Sequence, residues 1–225
     1  METTARNIVK VLKFYGALGF ERLPLEMPVA SYGSSADKAE ALERLRLDIG
    51  ECLRCKLSMG RKNVVFGEGN PDARLMFIGE GPGKEEDMKA RPFVGDAGQL
   101  LDRLINRMGL NREEVYIANV VKCRPPGNRD PEEDETATCI PFLKAQIGII
   151  QPEVIMTLGR ISAHALLGTS TPISRLRGKW MELDGVPVMP TFHPAYLLRN
   201  PKDKNLTWAD AVQALKKLGL EVPAQ

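Results

Sequence analysis

Leu75-Met76-Phe77-Ile78-Gly79-Glu80-Gly81-Pro82-Gly83 is a run of four apolar residues that stops abruptly at a glycine-rich turn. The same punctuation recurs downstream: Val115 to Ala118 stops at Asn119, Val154 to Leu158 at Gly159, and Val186 to Phe192 at His193. Helical spacing fills the intervals, notably over Gly98 to Met108 and Ala163 to Leu167. Short apolar runs alternating with helices are the signature of β-α-β units. The chain is therefore expected to be α/β: a three-layer α/β/α arrangement with a central, mostly parallel, four-stranded sheet. Such sheets bind ligands outside the carboxyl ends of their strands, so polar residues at the ends of these four runs are the first candidates for function.

Composition narrows the class. With 225 residues, 43% hydrophobic and 27% charged, the chain suits one globular domain and a small extension. The formal net charge of +2 excludes a uniformly basic surface but not a local basic patch. Arg6, Lys10, Lys13, Glu21 and Arg22 interrupt every early apolar stretch, so neither a signal peptide nor a membrane span is expected. A cytoplasmic location follows as the expectation, with no membrane partner. Ile8 to Leu18 has helical spacing, and Pro24 to Ser35 reads as a linker before a charged helix from about Asp37 to Ile49. The expected division is an N-terminal helical arm over 1–40, its role open, and a main domain over 41–225.

Four cysteines form an uneven set: Cys52-x2-Cys55, then single residues Cys123 and Cys139. The C-x2-C pair is the usual bite of two thiolates on one ion or cluster. Zinc ribbons close with a second close pair, whereas here the last two stand alone, which favours a [4Fe–4S] cluster over zinc. Four unrelated buried thiols or two disulfides are the competing readings.

Other motifs are weak singly. Gly79 to Lys84 fails the phosphate-loop pattern, because Ile78 stands where its first glycine belongs and Glu85 where the Ser or Thr belongs. Glu85-Glu86-Asp87 alone reads as a solvated face, and Arg91 to Gly95 as a loop with one tucked aromatic, Phe93. Asn119 is sharper, because an amide between apolar neighbours has up to about four hydrogen-bonding sites to satisfy. His193 is one of two histidines and stands at a strand end, whereas His164 reads as helix filler.

Taken together, Gly79 to Gly83, Arg91 to Gly95, Asn119 with Cys123-Arg124-Pro125-Pro126, Arg177 to Trp180, and Phe192 to Arg199 resemble the iron–sulfur, family 4 uracil-DNA glycosylases. The resemblance spans roughly Asp48 to Leu218. It implies hydrolysis of the N-glycosidic bond of deoxyuridine in DNA, releasing uracil, leaving an abasic site and initiating base excision repair. It places Cys52, Cys55, Cys123 and Cys139 as ligands of a structural [4Fe–4S] cluster. His193 would bond uracil O2 as the base departs, Asn119 would read O4 and N3–H, and Phe93 would stack on the flipped base. Glu80, Gly81 and Pro82 would line the pocket. In the related family 1 an Asp that positions water falls where Gly81 stands, and a Tyr that excludes the thymine methyl falls where Gly83 stands. Water is therefore assigned to Glu80, making Glu80 and His193 the catalytic pair, and thymine exclusion is assigned to Glu86. Leu197 or Leu198 would fill the vacated stack and Arg199 hold a phosphate. Arg175, Arg177, Lys179, Lys122, Arg124 and Arg129 would form a basic rim.

The implied partner is uracil-containing DNA, single- or double-stranded, met by a monomer; a replication-clamp contact is not legible in the chain. No lysine stands out as a Schiff-base nucleophile, so the activity is expected to be monofunctional. The alternatives are a non-catalytic iron–sulfur DNA-binding protein and a uracil-crosslinking relative. The second needs a histidine in the insertion after Asn119, and Cys123 to Arg129 contains none.

Overall fold

The computed structural model describes residues 34–223; the helix expected over Ile8 to Leu18 and most of the linker after it lie outside the described residues. The first described helix, α1 (Ser35–Ile49), is capped by Ser34, whose side chain accepts from the Asp37 N–H at 3.3 Å. It runs unbroken through positions 40 and 41, so the division expected there falls inside a helix.

The sheet has six strands: β1 (Glu68–Gly69), β2 (Leu75–Gly79), β3 (Tyr116–Asn119), β4 (Val154–Leu158), β5 (Met181–Leu183) and β6 (Val186–Thr191), in the order β1-β3-β2-β4-β6-β5. The four central strands are parallel and correspond to the four apolar runs. Two short antiparallel strands, β1 and β5, extend the expected four-stranded sheet at its edges. They escaped notice because two or three residues carry no periodicity. For β5 a turn signal was present, however: Asp184-Gly185 joins it to β6 with φ of 48° and 84°, the left-handed pair that a two-residue hairpin needs.

Helices cover both faces, which explains why the central strands are apolar throughout. Met76, Ile78 and Ala118 pack with Leu143, Ile147 and Ile150 of α4 (Glu133–Ile150) and Leu42 of α1. Alternate residues Leu75, Phe77 and Ile117 pack on the other face with Leu101 and Ile105 of α3 (Asp96–Arg107) and with Trp208 and Leu215 of α8 (Lys204–Lys217). Each fully buried side chain of this size contributes about 1.5–3 kcal/mol. Between these lie the short helices α2 (Lys84–Lys89), α5 (Arg160–Leu167), α6 (Ile173–Leu176) and α7 (Pro194–Arg199). Asp87 departs from the solvated face expected of Glu85 to Asp87. It is buried and accepts the backbone N–H groups of Lys62 and Asn63, tying α2 to the chain before β1.

The register aligns Gly79 with Asn119 and Leu158 with Thr191. The carboxyl ends of all four parallel strands therefore open on one side, where the chain crosses from the β2–β3 half to the β4–β6 half.

Candidate active site

At those strand ends a cleft of about 520 Å³ is lined by Glu80, Gly81, Pro82, Glu86, Phe93, Asn119, His193 and Arg199, among others. That is room for a small-molecule-sized group. Asn119 ends β3 with its side chain buried, and its Oδ1 accepts no hydrogen bond from any described residue. A buried acceptor left open costs about 1–3 kcal/mol; the Thr157 and Thr207 hydroxyls share that condition, but neither lines this cleft. Gly79, paired beside Asn119, has no room for a side chain: a Cβ there would collide with Asn119 Oδ1 and with the Phe93 ring.

Phe93 is buried and holds a left-handed φ of 51°. Arg112 keeps it there, with its guanidinium donating to the backbone carbonyls of Pro92 and Phe93 while it pairs with Glu68 and Asp102. Gly98 allows α3 to approach, since a Cβ there would strike the Phe93 carbonyl. Glu86, expected to exclude thymine, lines the cleft and also braces its loops. One carboxylate oxygen accepts from the Gly83 N–H at 3.1 Å, and the other from Val94 and Gly95 at 2.9 and 3.0 Å. It ties the glycine turn to the Phe93 loop, an arrangement that short-range sequence reading could not reveal.

His193 caps α7, its Nδ1 accepting the Ala195 N–H at 3.1 Å. With Nδ1 an acceptor, the neutral ring carries its proton on Nε2. Burial pulls its pKa down to about 4, so the ring is neutral at physiological pH; Glu86 opposes the shift and Arg199 adds to it. The Phe93 ring lies 5.8 Å from the imidazole, centroid to centroid. Below it, Gly159 (φ 93°) leaves a space whose filling by a Cβ would bring it 2.9 Å from His193 Cβ. Two residues earlier, Thr191 donates to Asp210 at 2.7 Å, and Asp210 is gripped by Arg177. Arg177 thus supports the strand that delivers His193 and does not belong to the basic rim.

Glu80 follows β2 directly. Burial, reinforced by the negative charge of Asp130 and eased by Arg160, lifts its carboxyl to about 7. Asp130 and Arg160 pair with each other at 2.5 Å; neither was singled out from the sequence, since they lie far from Glu80 along the chain.

On α7 the two leucines separate. Leu197 is buried in the core, whereas Leu198 is 39% exposed, which leaves Leu198 alone free to meet a base stack. Arg199 is exposed beside the cleft. The rim is smaller than expected: Arg129 pairs with Glu132 and Glu135, and Lys122 is buried. Arg175 and Lys179 are exposed, and Arg124 is half-buried, bonded to Asn128 at 2.7 Å. Lys122 donates from Nζ to the Asn119 carbonyl at 3.0 Å and to Gln146 Oε1 at 2.5 Å, with burial pulling its pKa down to about 8.

The four cysteines are free thiols that line one small cavity with Leu57 and Phe142. The Lys122 N–H donates to Cys139 Sγ at 3.2 Å, and Arg61 approaches Cys123 Sγ at 3.5 Å. Burial pushes the Cys123 thiol up to about 12 and raises Cys139 too. Among the described residues, no three His, Cys, Asp or Glu side chains converge closely enough for a single metal ion.

Comparison with known proteins agrees with this geometry. Residues 66–216 match the uracil DNA glycosylase superfamily. The chain is 50% identical over 165 residues to a type-4 uracil-DNA glycosylase of Thermotoga maritima, covering 72% of this chain and 86% of the relative. It is 46% identical over 180 residues to the type-4 enzyme of Sulfurisphaera tokodaii (76% and 82% covered) and 49% over 169 residues to that of Saccharolobus solfataricus (71% and 78%). With the unpartnered amide, the buried aromatic and the neutral histidine gathered at the strand ends, these identities establish that the chain belongs to the uracil-DNA glycosylase superfamily, among its type-4 members.

Proposed function

We propose that the chain hydrolyses the N-glycosidic bond of deoxyuridine in DNA, releasing uracil and leaving an abasic site for base excision repair. The observation that carries this reading is Asn119, buried with its Oδ1 unpartnered, lining a cleft shared with Phe93 and His193. The amide can accept from N3–H and donate to O4 of uracil. Cytosine, with a bare N3 and an amino group, leaves both unmatched. Phe93 offers a stacking face, and the His193 Nε2–H is free to bond O2 as negative charge gathers on the departing base.

Water supplies the hydroxyl for C1′, and its proton ends on the released base by way of the site. Glu80 is assigned to hold that water and take its proton. The required form is the carboxylate, so kcat/KM is expected to rise with pH through about 7 and then level off. His193, neutral above about 4, adds no limb in that range. Glu80→Gln should lower the plateau and flatten the limb; an unchanged limb in that variant would assign it to another group.

Cys52, Cys55, Cys123 and Cys139 fit a [4Fe–4S] cluster, because all four line one cavity and four cysteine thiolates are the donor set such a cluster takes. When bound, such a cluster would tie the Cys52–Cys55 loop to α4 and to the strand end after Asn119, without redox work in the hydrolysis. Leu198 is the residue proposed to enter the vacated stack and Arg199 to hold a phosphate. The enzyme is proposed to act in the cytoplasm, as a monomer, on single- or double-stranded DNA. Among the described residues no helix is long and apolar enough to cross a membrane.

The test is uracil release from an oligonucleotide bearing one deoxyuridine, in EDTA, using protein whose iron and acid-labile sulfide have been measured. Release confined to uracil, with alkali-labile abasic sites, is the expected result. Tight binding without release would point to a passive DNA-binding protein, and a covalent adduct to a crosslinking relative.

A further inference from the structure

Lys122 is one of the largest fully buried side chains, yet its hydrogen bonds go to two neutral acceptors, the Asn119 carbonyl and Gln146 Oε1. Burying a lysine is costly, and an apolar side chain of similar length would fill the same space. The bonds around it form one connected set. Gln146 Nε2 donates to the Phe66 carbonyl at 3.0 Å and lies 3.2 Å from the Tyr116 hydroxyl, so the first and last residues of β3 are held by one pair of side chains. Gln146 lies two turns along α4 from Cys139, on the same helix face. The Lys122 backbone N–H meets the Cys139 sulfur, and its carbonyl accepts from Val65 at 2.8 Å. Lys122 therefore grips the cysteine cavity with its main chain and the base-reading residue with its side chain.

We propose that Lys122 is a positioning residue for uracil recognition. It holds the Asn119 backbone against α4, so that the side-chain amide keeps its place at the cleft where the base would sit. This assignment rests on the uracil-excision reading. Small misplacements of a recognition group are expensive in rate, since about 1 Å can cost roughly 100-fold.

The test is Lys122→Met in the cluster-loaded protein, with single-turnover and steady-state kinetics on a deoxyuridine oligonucleotide, alone and combined with Asn119→Ala. The expected result is a fall in kcat of about 10- to 100-fold, with KM changed by less than about threefold. In the Asn119→Ala background Lys122→Met should have no further effect, because two residues acting as a unit are not additive. An equal fall in both backgrounds, or a lower melting temperature with kcat intact, would overturn the proposal. If Lys122→Met does not fold, Gln146→Met carries the test: a fall in kcat that vanishes in the Asn119→Ala background supports the assignment, and any other result overturns it. Absence of uracil release by the wild type would instead overturn the functional reading, and this assignment with it.

Discussion

His193→Ala is expected to lower kcat for uracil release by about 100- to 1000-fold, the usual loss when one preorganised donor to a developing oxyanion is removed. The ring is neutral because burial pulls its pKa to about 4, and its Nδ1 is already committed to the Ala195 N–H. Only Nε2–H remains to meet the charge that builds on the base, and a neutral donor in a buried site needs no reorganisation as the bond breaks. The substitution also removes the cap of α7, worth about 1 kcal/mol. His193→Asn separates the two effects, since asparagine restores a cap without an imidazole donor. Single-turnover rates should stay low in both variants while the melting temperature recovers in His193→Asn. A rate that recovers with the cap would make His193 structural.

The second large effect is expected at Asn119→Asp. The amide presents one donor and one acceptor, whereas a carboxylate only accepts, so uracil O4 would face an oxygen with no proton between them. Uracil release should fall by about 100-fold or more, in line with sites that leave a buried polar group mismatched. Cytosine suits the same carboxylate better, since its amino group donates to one oxygen and a proton held between N3 and the other completes the pair. Cytosine release above the wild-type background is therefore expected, assayed on oligonucleotides differing only at that base. Unchanged uracil release would mean that Asn119 does not read the base.

What could be read from the chain was what neighbours dictate to one another. The four apolar runs became the four parallel strands because each is buried on both faces, and their terminal residues gave Glu80, Asn119 and His193 without knowledge of the loops. What escaped was long-range pairing. Lys122 and Arg177 look like surface cations until Gln146 and Asp210, 24 and 33 residues away, are seen beside them. Glu86 does line the cleft, but nothing local shows that the Val94 and Gly95 amides fold back onto it. Leu197 and Leu198 are chemically identical, and only the rotation of α7 decides which one faces solvent.

The Glu86 carboxylate joins two loops that line the cleft, and Arg112 locks the left-handed Phe93 in one of them. The consequence concerns search. An enzyme patrolling long stretches of normal DNA meets the wrong base far more often than the right one. A mould set before the encounter lets a mismatched base fall back into its helix without the protein having to relax afterwards. Selectivity then rests on a shape that does not adapt to what it is offered.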